Sequence, residues 1–191
     1  MPKTEVYTLE PAKGMKSRQV GLFLWQLDDQ LAALTEDTRG ATPGELEWQP
    51  GPGMNTIGML LAHVALVEVA WIGAAARGLE FFKIEALPIG WADSGMPLAA
   101  DGAPPAALTG KDLAFYDDLL ARARAFTREA LAPLADADLE QRRTRIRRDG
   151  TQVDYNVGWA LYHAIEHFAG HYGQVNLLRH QYRAMRTGVR G

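Results

Sequence analysis

The sequence predicts an all-α protein that folds as a helical bundle, and three observations support this prediction. Four long segments carry apolar residues at the spacing of one helix face. Prolines and glycines gather between those segments, where they mark turns. Hydrophobic residues make up 47% of the 191 residues and charged residues 23%, which is typical of a folded globular chain. A chain of this length is expected to form one domain over residues 1–191.

The first two helices are predicted on either side of a turn-rich stretch, residues 40–53. The first is expected from Lys16 to Thr38. Its apolar residues recur at alternating steps of four and three: Val20, Leu24, Leu27, Leu31 and Leu34. Asn55 is a good N-cap, so the second helix is expected to begin just after it and to run to about Arg77.

A long irregular connection is expected over residues 79–108, because prolines and glycines interrupt it and no periodicity is sustained. Its large aromatic residues are Phe81, Phe82 and Trp91. Two interpretations of this connection stay open, a lid over a functional site or a cap on the open end of the bundle. Thr109 and Asp112 then resemble a capping box, and helical spacing continues from there to Leu131.

A short β-hairpin is predicted over residues 143–156. Asp149-Gly150, the two-residue signal of a tight turn, separates two segments that read as strands. Asn156 is a candidate N-cap for the last helix, which is expected to reach Tyr182 because no proline interrupts it.

The composition excludes several classes of function. There is no cysteine, which rules out a disulfide framework, a thiolate metal site and a cysteine nucleophile. Residues 1–14 lack the apolar core of a signal peptide, and His63 and Glu68 interrupt the longest apolar run, so we expect a cytoplasmic protein without a membrane span. The net charge of -3 disfavours nucleic-acid and anionic-membrane partners.

Histidines supply the most informative pattern. His163, His167 and His171 step by four along the last helix and therefore form one stripe. Two histidines one turn apart are a common metal half-site. His63 lies among apolar residues of the second helix, where an unpartnered imidazole is costly, and metal coordination would explain it. The alternative is a core histidine bonded to a backbone carbonyl, beside a polar surface stripe.

Two stretches resemble the DinB-like metal-binding bundles, whose relatives include YfiT-like hydrolases and thiol-dependent S-transferases. They are residues 46–63, LEWQPGPGMNTIGMLLAH, and residues 159–174, WALYHAIEHFAGHYGQ. The resemblance covers roughly residues 16–182 and implies an up-down-down-up four-helix bundle. It also implies that His63, His167 and His171 bind a divalent metal, for which we expect Zn²⁺ or Ni²⁺. The resemblance is compatible with a homodimer, but a dimer surface and a core stripe look the same in sequence, so the oligomeric state stays open.

Three further residues near these motifs are ambiguous in sequence. His163 is a candidate fourth ligand, but a supporting or packing role is favoured. Gln174 falls on the histidine stripe, where it would orient a ligand or form a helix-packing contact. Gly170 departs from relatives that carry a histidine there, which weakens the helix and is expected to open space near the metal.

The single basic cluster comprises Arg142, Arg143, Arg145, Arg147 and Arg148. One interpretation is a dock for an anionic cosubstrate. The other is a charged hairpin edge that prevents strand-to-strand association.

The leading functional hypothesis is an enzyme whose metal keeps an open coordination position, either a hydrolase or a transferase. Because the chain has no cysteine, the thiol of a transferase would arrive on a small-molecule cosubstrate. Glu68 and Glu166 do not share a helix face with the expected ligands, so no general base is assigned. The alternatives are a catalytically silent metal-binding protein and a stress-related interaction protein.

Overall fold

The computed structural model describes residues 6–96, 98–147 and 149–188. These residues are mostly helical, as predicted. The helices are α1 (Arg18–Thr38), α2 (Pro43–Glu47), α3 (Ile57–Arg77), α4 (Trp91–Ser94), α5 (Leu113–Leu131) and α6 (Val157–Thr187). The strands are β1 (Arg142–Ile146) and β2 (Gln152–Asn156), and two short 3₁₀ turns cover Ala106–Leu108 and Asp136–Glu140.

Each long helix begins at a polar side chain that accepts a hydrogen bond from its first turn, which satisfies one of the free backbone N–H groups. These N-caps are Ser17, Thr56, Asp112 and Asn156. The prediction for Asn156 is therefore confirmed. The prediction of Asn55 as the N-cap of α3 is wrong, because the Thr56 hydroxyl accepts a hydrogen bond from Met59 N–H at 3.1 Å. The expected pairing of Thr109 with Asp112 is also wrong, because Asp112 itself accepts from Phe115 N–H at 3.0 Å.

Helix α3 is the centre of the fold. It packs against both α5 and α6, and α1 packs against α6. By length and composition α3 could cross a membrane, but 94% of its apolar window is buried inside the structure, as expected for a core helix. Because α3 is buried almost all round, any polar side chain on it needs a partner. The up-down-down-up order of the four long helices stays a prediction.

The connection over residues 79–108 is more ordered than expected. It contains α4 and a 3₁₀ turn, and its residues Leu87, Ile89 and Leu108 are buried in the core. Gly53 N–H donates to Gly102 O at 3.0 Å, which ties this connection to the turn before α3. Buried apolar side chains and a few backbone hydrogen bonds hold this connection in place, although its sequence shows no helical periodicity.

The predicted hairpin is present, with β1 and β2 antiparallel and Arg145 opposite Val153. Its turn is longer than the two residues expected. Arg147 N–H donates to Thr151 O at 2.8 Å and Gly150 N–H donates to Arg147 O at 3.0 Å. Gly150 adopts φ 82°, a conformation that favours glycine. Arg148, a member of the basic cluster, lies outside the described residues.

The last helix directly follows the hairpin and is longer than predicted. It runs past Tyr182 to Thr187 and ends at Gly188 with φ 70°. Its first half, which carries the histidine stripe, packs on α3 beside the hairpin.

Candidate metal centre

Three half-buried histidines from two helices meet between α3 and α6. One ring nitrogen of each of His63, His167 and His171 lies within 4.8 Å of the others. The Nε2 atom of His167 is 3.1 Å from Nε2 of His63 and 3.1 Å from Nε2 of His171. The structure thus brings together the three residues that the sequence singled out as ligands.

These distances fit a metal ion better than a hydrogen-bonded cluster. Two nitrogens bound at roughly 2.0–2.1 Å to a tetrahedral ion stand about 3.3 Å apart. Neutral imidazole carries one N–H, so His167 Nε2 cannot form good N–H···N bonds to both neighbours at once. Three lone pairs directed at a shared cation resolve this conflict, and a set of three imidazoles suits Zn²⁺ or Ni²⁺.

The ionisation of the triad supports the same conclusion. Burial lowers the pKa of His63 to about 4, with a smaller effect from the charge of His171. Burial also lowers the pKa of His167 to about 3, with further effects from the neighbouring histidines. Both rings are therefore neutral at pH 7, the form that donates a lone pair to a metal.

Gln174 fixes the tautomer of one ligand. His171 Nδ1 lies 2.7 Å from Gln174 Oε1. An amide oxygen only accepts, so Nδ1 of His171 carries the hydrogen and Nε2 keeps its lone pair for the metal. Of the two roles considered for Gln174, the structure shows the contact that orients a ligand. By contrast, Nδ1 of His63 is buried without a hydrogen-bond partner among the described residues.

His163 lies beside the triad but does not belong to it. Its Nδ1 contacts Glu166 Oε1 at 2.8 Å. Its ring stacks on Trp159, with 4.8 Å between centroids and 7° between planes, and meets the edge of Trp71. These contacts explain His163 as a packed polar residue, which agrees with the favoured non-ligand role.

No carboxylate joins the triad among the residues that the structure describes. Glu68 forms a buried ion pair with Arg124, at 2.9 Å between Oε1 and Nε. Hydrogen bonds from Tyr162 and His163 lower the pKa of Glu166, so its carboxylate already has two partners outside the triad.

A cavity adjoins Gln174, whose side chain contacts His171. This cavity of about 240 Å³ is lined by Gln174, Leu60 and Leu177, among others. A side chain at Gly170 would meet nothing within 4 Å, consistent with the open space expected there. The described residues that line this cavity do not include the three histidines.

Aromatic rings of the 79–108 connection cover the other side. The Trp91 ring lies 6.4 Å from the His63 ring and stacks on Phe81 at 5.8 Å. This wall continues to the hairpin, where the Arg145 guanidinium lies over Phe81 and Trp71. Sequence reasoning had found the arginines and the aromatics separately. Their contact joins segments more than 60 residues apart and left no signal in the sequence.

The fold and this triad define a class: a helical protein with a three-histidine site suited to a divalent metal. The chain belongs to the mycothiol S-transferase family, whose family model matches residues 23–184. This match confirms the resemblance to the DinB-like and YfiT-like proteins.

Two other comparisons bear on the chain. A search of curated proteins found no match. A crystal structure described as a conserved protein of locus from Enterococcus faecalis is similar at a TM-score of 0.60. It shares 20% sequence identity, and the match covers 83% of this chain and 93% of that one. At this identity the likeness supports the fold alone.

Proposed function

We propose that this protein is a divalent-metal-dependent S-transferase that uses a small-molecule thiol of the mycothiol class. The convergence of three imidazole nitrogens carries the proposal: His167 Nε2 lies 3.1 Å from Nε2 of both His63 and His171, and all three lie within 4.8 Å of one another. The match to the mycothiol S-transferase family supports the thiol as cosubstrate. His63, His167 and His171 would hold Zn²⁺ or Ni²⁺.

The chain supplies the ligands, their orientation and a partly dry site. Rigid helices hold His63, His167 and His171, and Gln174 keeps His171 in the tautomer that binds. Three protein ligands leave a position free for substrate, whereas structural zinc sites are usually closed by four. A bound divalent cation lowers the pKa of a thiol that reaches it, and so provides a thiolate at neutral pH.

The transfer balances without a further reactant. A carbon–sulfur bond forms between the thiol sulfur and the electrophilic carbon, and the bond from that carbon to its leaving group breaks. The leaving group keeps the electron pair of that bond, and the thiol proton goes to solvent. No cysteine of the chain takes part, because there is none.

The transferase is preferred to a hydrolase because of the carboxylates. Glu68 and Glu166 are each engaged elsewhere, so neither is placed to take a proton from an attacking water. An incoming thiol that is already ionised needs no such base.

The first test is elemental analysis of untagged protein beside His167→Ala, with His180→Ala as the matched control. His180 is an exposed histidine on the same helix and outside the triad. We expect one equivalent of divalent metal in the unaltered protein and in His180→Ala, and none in His167→Ala. Circular dichroism should show that all three keep their helical content.

Turnover is then measured with mycothiol and a fluorogenic haloalkyl electrophile. Product should form only with metal-loaded protein, and His167→Ala should be inactive. Metal binding without any turnover would favour the catalytically silent metal-binding protein instead. Absence of metal from the unaltered protein would overturn the proposal.

A further inference from the structure

A second cavity lies against the β-hairpin. Its volume is about 310 Å³, at the lower end of the roughly 300–1,000 Å³ found for small-molecule sites. The segment after α3 forms one wall and β1 forms the other. The described residues that line it do not include the three histidines of the candidate metal centre.

Arg145 brings to this cavity a positive charge that no carboxylate pairs among the described residues. Its guanidinium carbon lies 4.2 Å from the centre of the Phe81 ring and 4.8 Å from that of Trp71. Its Nε is buried and has no hydrogen-bond partner among the described residues. Glu80 also lines the cavity but forms no ion pair with Arg145 in the part of the chain that the structure describes. A buried guanidinium N–H without an acceptor is costly, so an acceptor is expected to complete the site.

Arg143 adds a second cation whose protein partners are neutral. Its Nε donates to Ala75 O at 3.1 Å and its Nη2 donates to Gln141 Oε1 at 3.0 Å. These bonds orient the side chain without neutralising it. Arg143 and Arg145 therefore present two positive charges to one cavity.

The rim of the same cavity is apolar and open to solvent. Leu79, Phe82 and Ile146 line it while exposing 46%, 48% and 60% of their surface. Exposed apolar side chains that cluster around a cavity mark a binding site more often than isolated ones do. A ligand that fits must combine an apolar body with a negative charge.

We infer that this cavity binds a small organic anion, an apolar body that carries a carboxylate. The carboxylate accepts hydrogen bonds from Arg145, Arg143 reinforces its charge, and the body covers Phe82 and Ile146. The site is separate from the triad, because Phe81 and Trp91 stack between them. It therefore does not depend on the proposed transferase activity.

Ligand-observed NMR titrations test this inference with three probes. They are 3-phenylpropionate, its neutral match 3-phenylpropanamide, and inorganic phosphate, which has charge but no apolar body. We expect 3-phenylpropionate to bind at least about tenfold more tightly than either of the others, since a charge-assisted hydrogen bond contributes roughly 1.5–3 kcal/mol.

Variants locate the binding. Arg145→Gln should weaken 3-phenylpropionate about tenfold or more. Arg142→Gln, at an exposed arginine of the same strand that does not line the cavity, should leave the affinity unchanged. His167→Ala should also bind the probe normally, which separates this result from any failure of the metal site.

Several results would overturn the inference. They are no binding of 3-phenylpropionate, equal binding of the acid and the amide, equal binding of phosphate, or unchanged affinity in Arg145→Gln. If Arg145→Gln fails to fold, Arg145→Lys replaces it, and the comparison of acid with amide on the unaltered protein decides the question.

Discussion

The interior of this protein buries polar side chains in two contrasting ways. Arg124 and Glu68 expose only 7% and 4% of their side chains and are joined at 2.9 Å, and Asp28 adds a second carboxylate at 2.8 Å. Arg179 and Glu45 form a similar buried pair. In these networks each charge has its opposite.

The histidine triad has no opposite charge and no consistent set of hydrogen bonds. Its Nε2 atoms face one another, and Nδ1 of His63 has no partner among the described residues. The two arrangements also differ in place: Arg124 joins α5 to α3 and Arg179 joins α6 to α2, whereas the half-buried triad lies between α3 and α6. Satisfied networks stabilise the fold, whereas a cluster without such partners is the arrangement expected of a ligand site.

The largest effect on stability should come from breaking a satisfied network. Arg124→Met leaves Glu68 buried without its cation, and we expect a loss of about 3–5 kcal/mol in the free energy of unfolding. Urea denaturation measures it. The double variant Arg124→Met/Glu68→Met should recover part of the loss, because it removes both buried charges. A loss below about 1 kcal/mol in Arg124→Met would contradict the assignment of this network to stability.

In the metal-free protein, the triad should make the free energy of unfolding depend on pH. His63 and His167 have pKa values of about 4 and about 3 in the fold, against about 6.5 in an unfolded chain. As pH falls below 6.5 the unfolded chain takes up protons that the native state does not, so stability falls between about pH 6.5 and pH 4. At pH 7 this cost is absent, because both states are neutral.

Urea midpoints measured with chelator present, from pH 7 to pH 4.5, test this expectation. The double variant His63→Gln/His167→Gln should lose less stability over the same range. An identical pH dependence in the two proteins would show that the rings are not buried in neutral form.

Replacing Gln174 should change metal affinity and leave the stability of the fold nearly unchanged. Gln174→Ala removes the acceptor that orients His171, and we expect metal affinity to fall about ten- to a hundredfold with little change in stability. Competition with a chromogenic chelator measures this change. Gln181→Ala is the matched control, since Gln181 lines the same cavity. Equal losses in the two variants would mean that Gln174 acts through the cavity and not through His171.

We expect the smallest loss of stability from breaking an exposed ion pair between an arginine and a carboxylate. Arg122 and Asp118 lie at 2.6 Å but expose 55% and 53% of their side chains. Arg122→Ala should therefore cost about 0.5 kcal/mol or less in urea denaturation. A cost above about 1.5 kcal/mol would show that burial does not determine how much each ion pair of this protein contributes to stability.

Much of the fold was predictable because its signals are local. Apolar spacing located all four long helices, and the order of turn and strand residues located the hairpin. Helix α4 was missed because four residues are too few for a period to show. The choice between Asn55 and Thr56 was also beyond the sequence, since both side chains can cap and only the start of the first turn decides.

The candidate site was predicted in part. The step of four between His167 and His171 places them on one helix face, and the apolar surroundings of His63 marked it as a third candidate, which the family resemblance also implied. The partners of these residues could not be predicted. Gln174 had two possible roles, and the stacking of His163 on Trp159 and against Trp71 depends on how α6 lies on α3.

The sequence by itself determined the four long helices, the hairpin, the absence of cysteine and the candidacy of the three histidines, because these follow from spacing and composition. Only the tertiary structure decided that the three Nε2 atoms meet, that Glu68 is neutralised by Arg124, and that Arg145 lies over Phe81 and Trp71. The physical reason is the same in each case. Contacts between residues far apart in the chain depend on how the helices pack. Side-chain periodicity predicts the apolar face of each helix but not how the helices pack against one another.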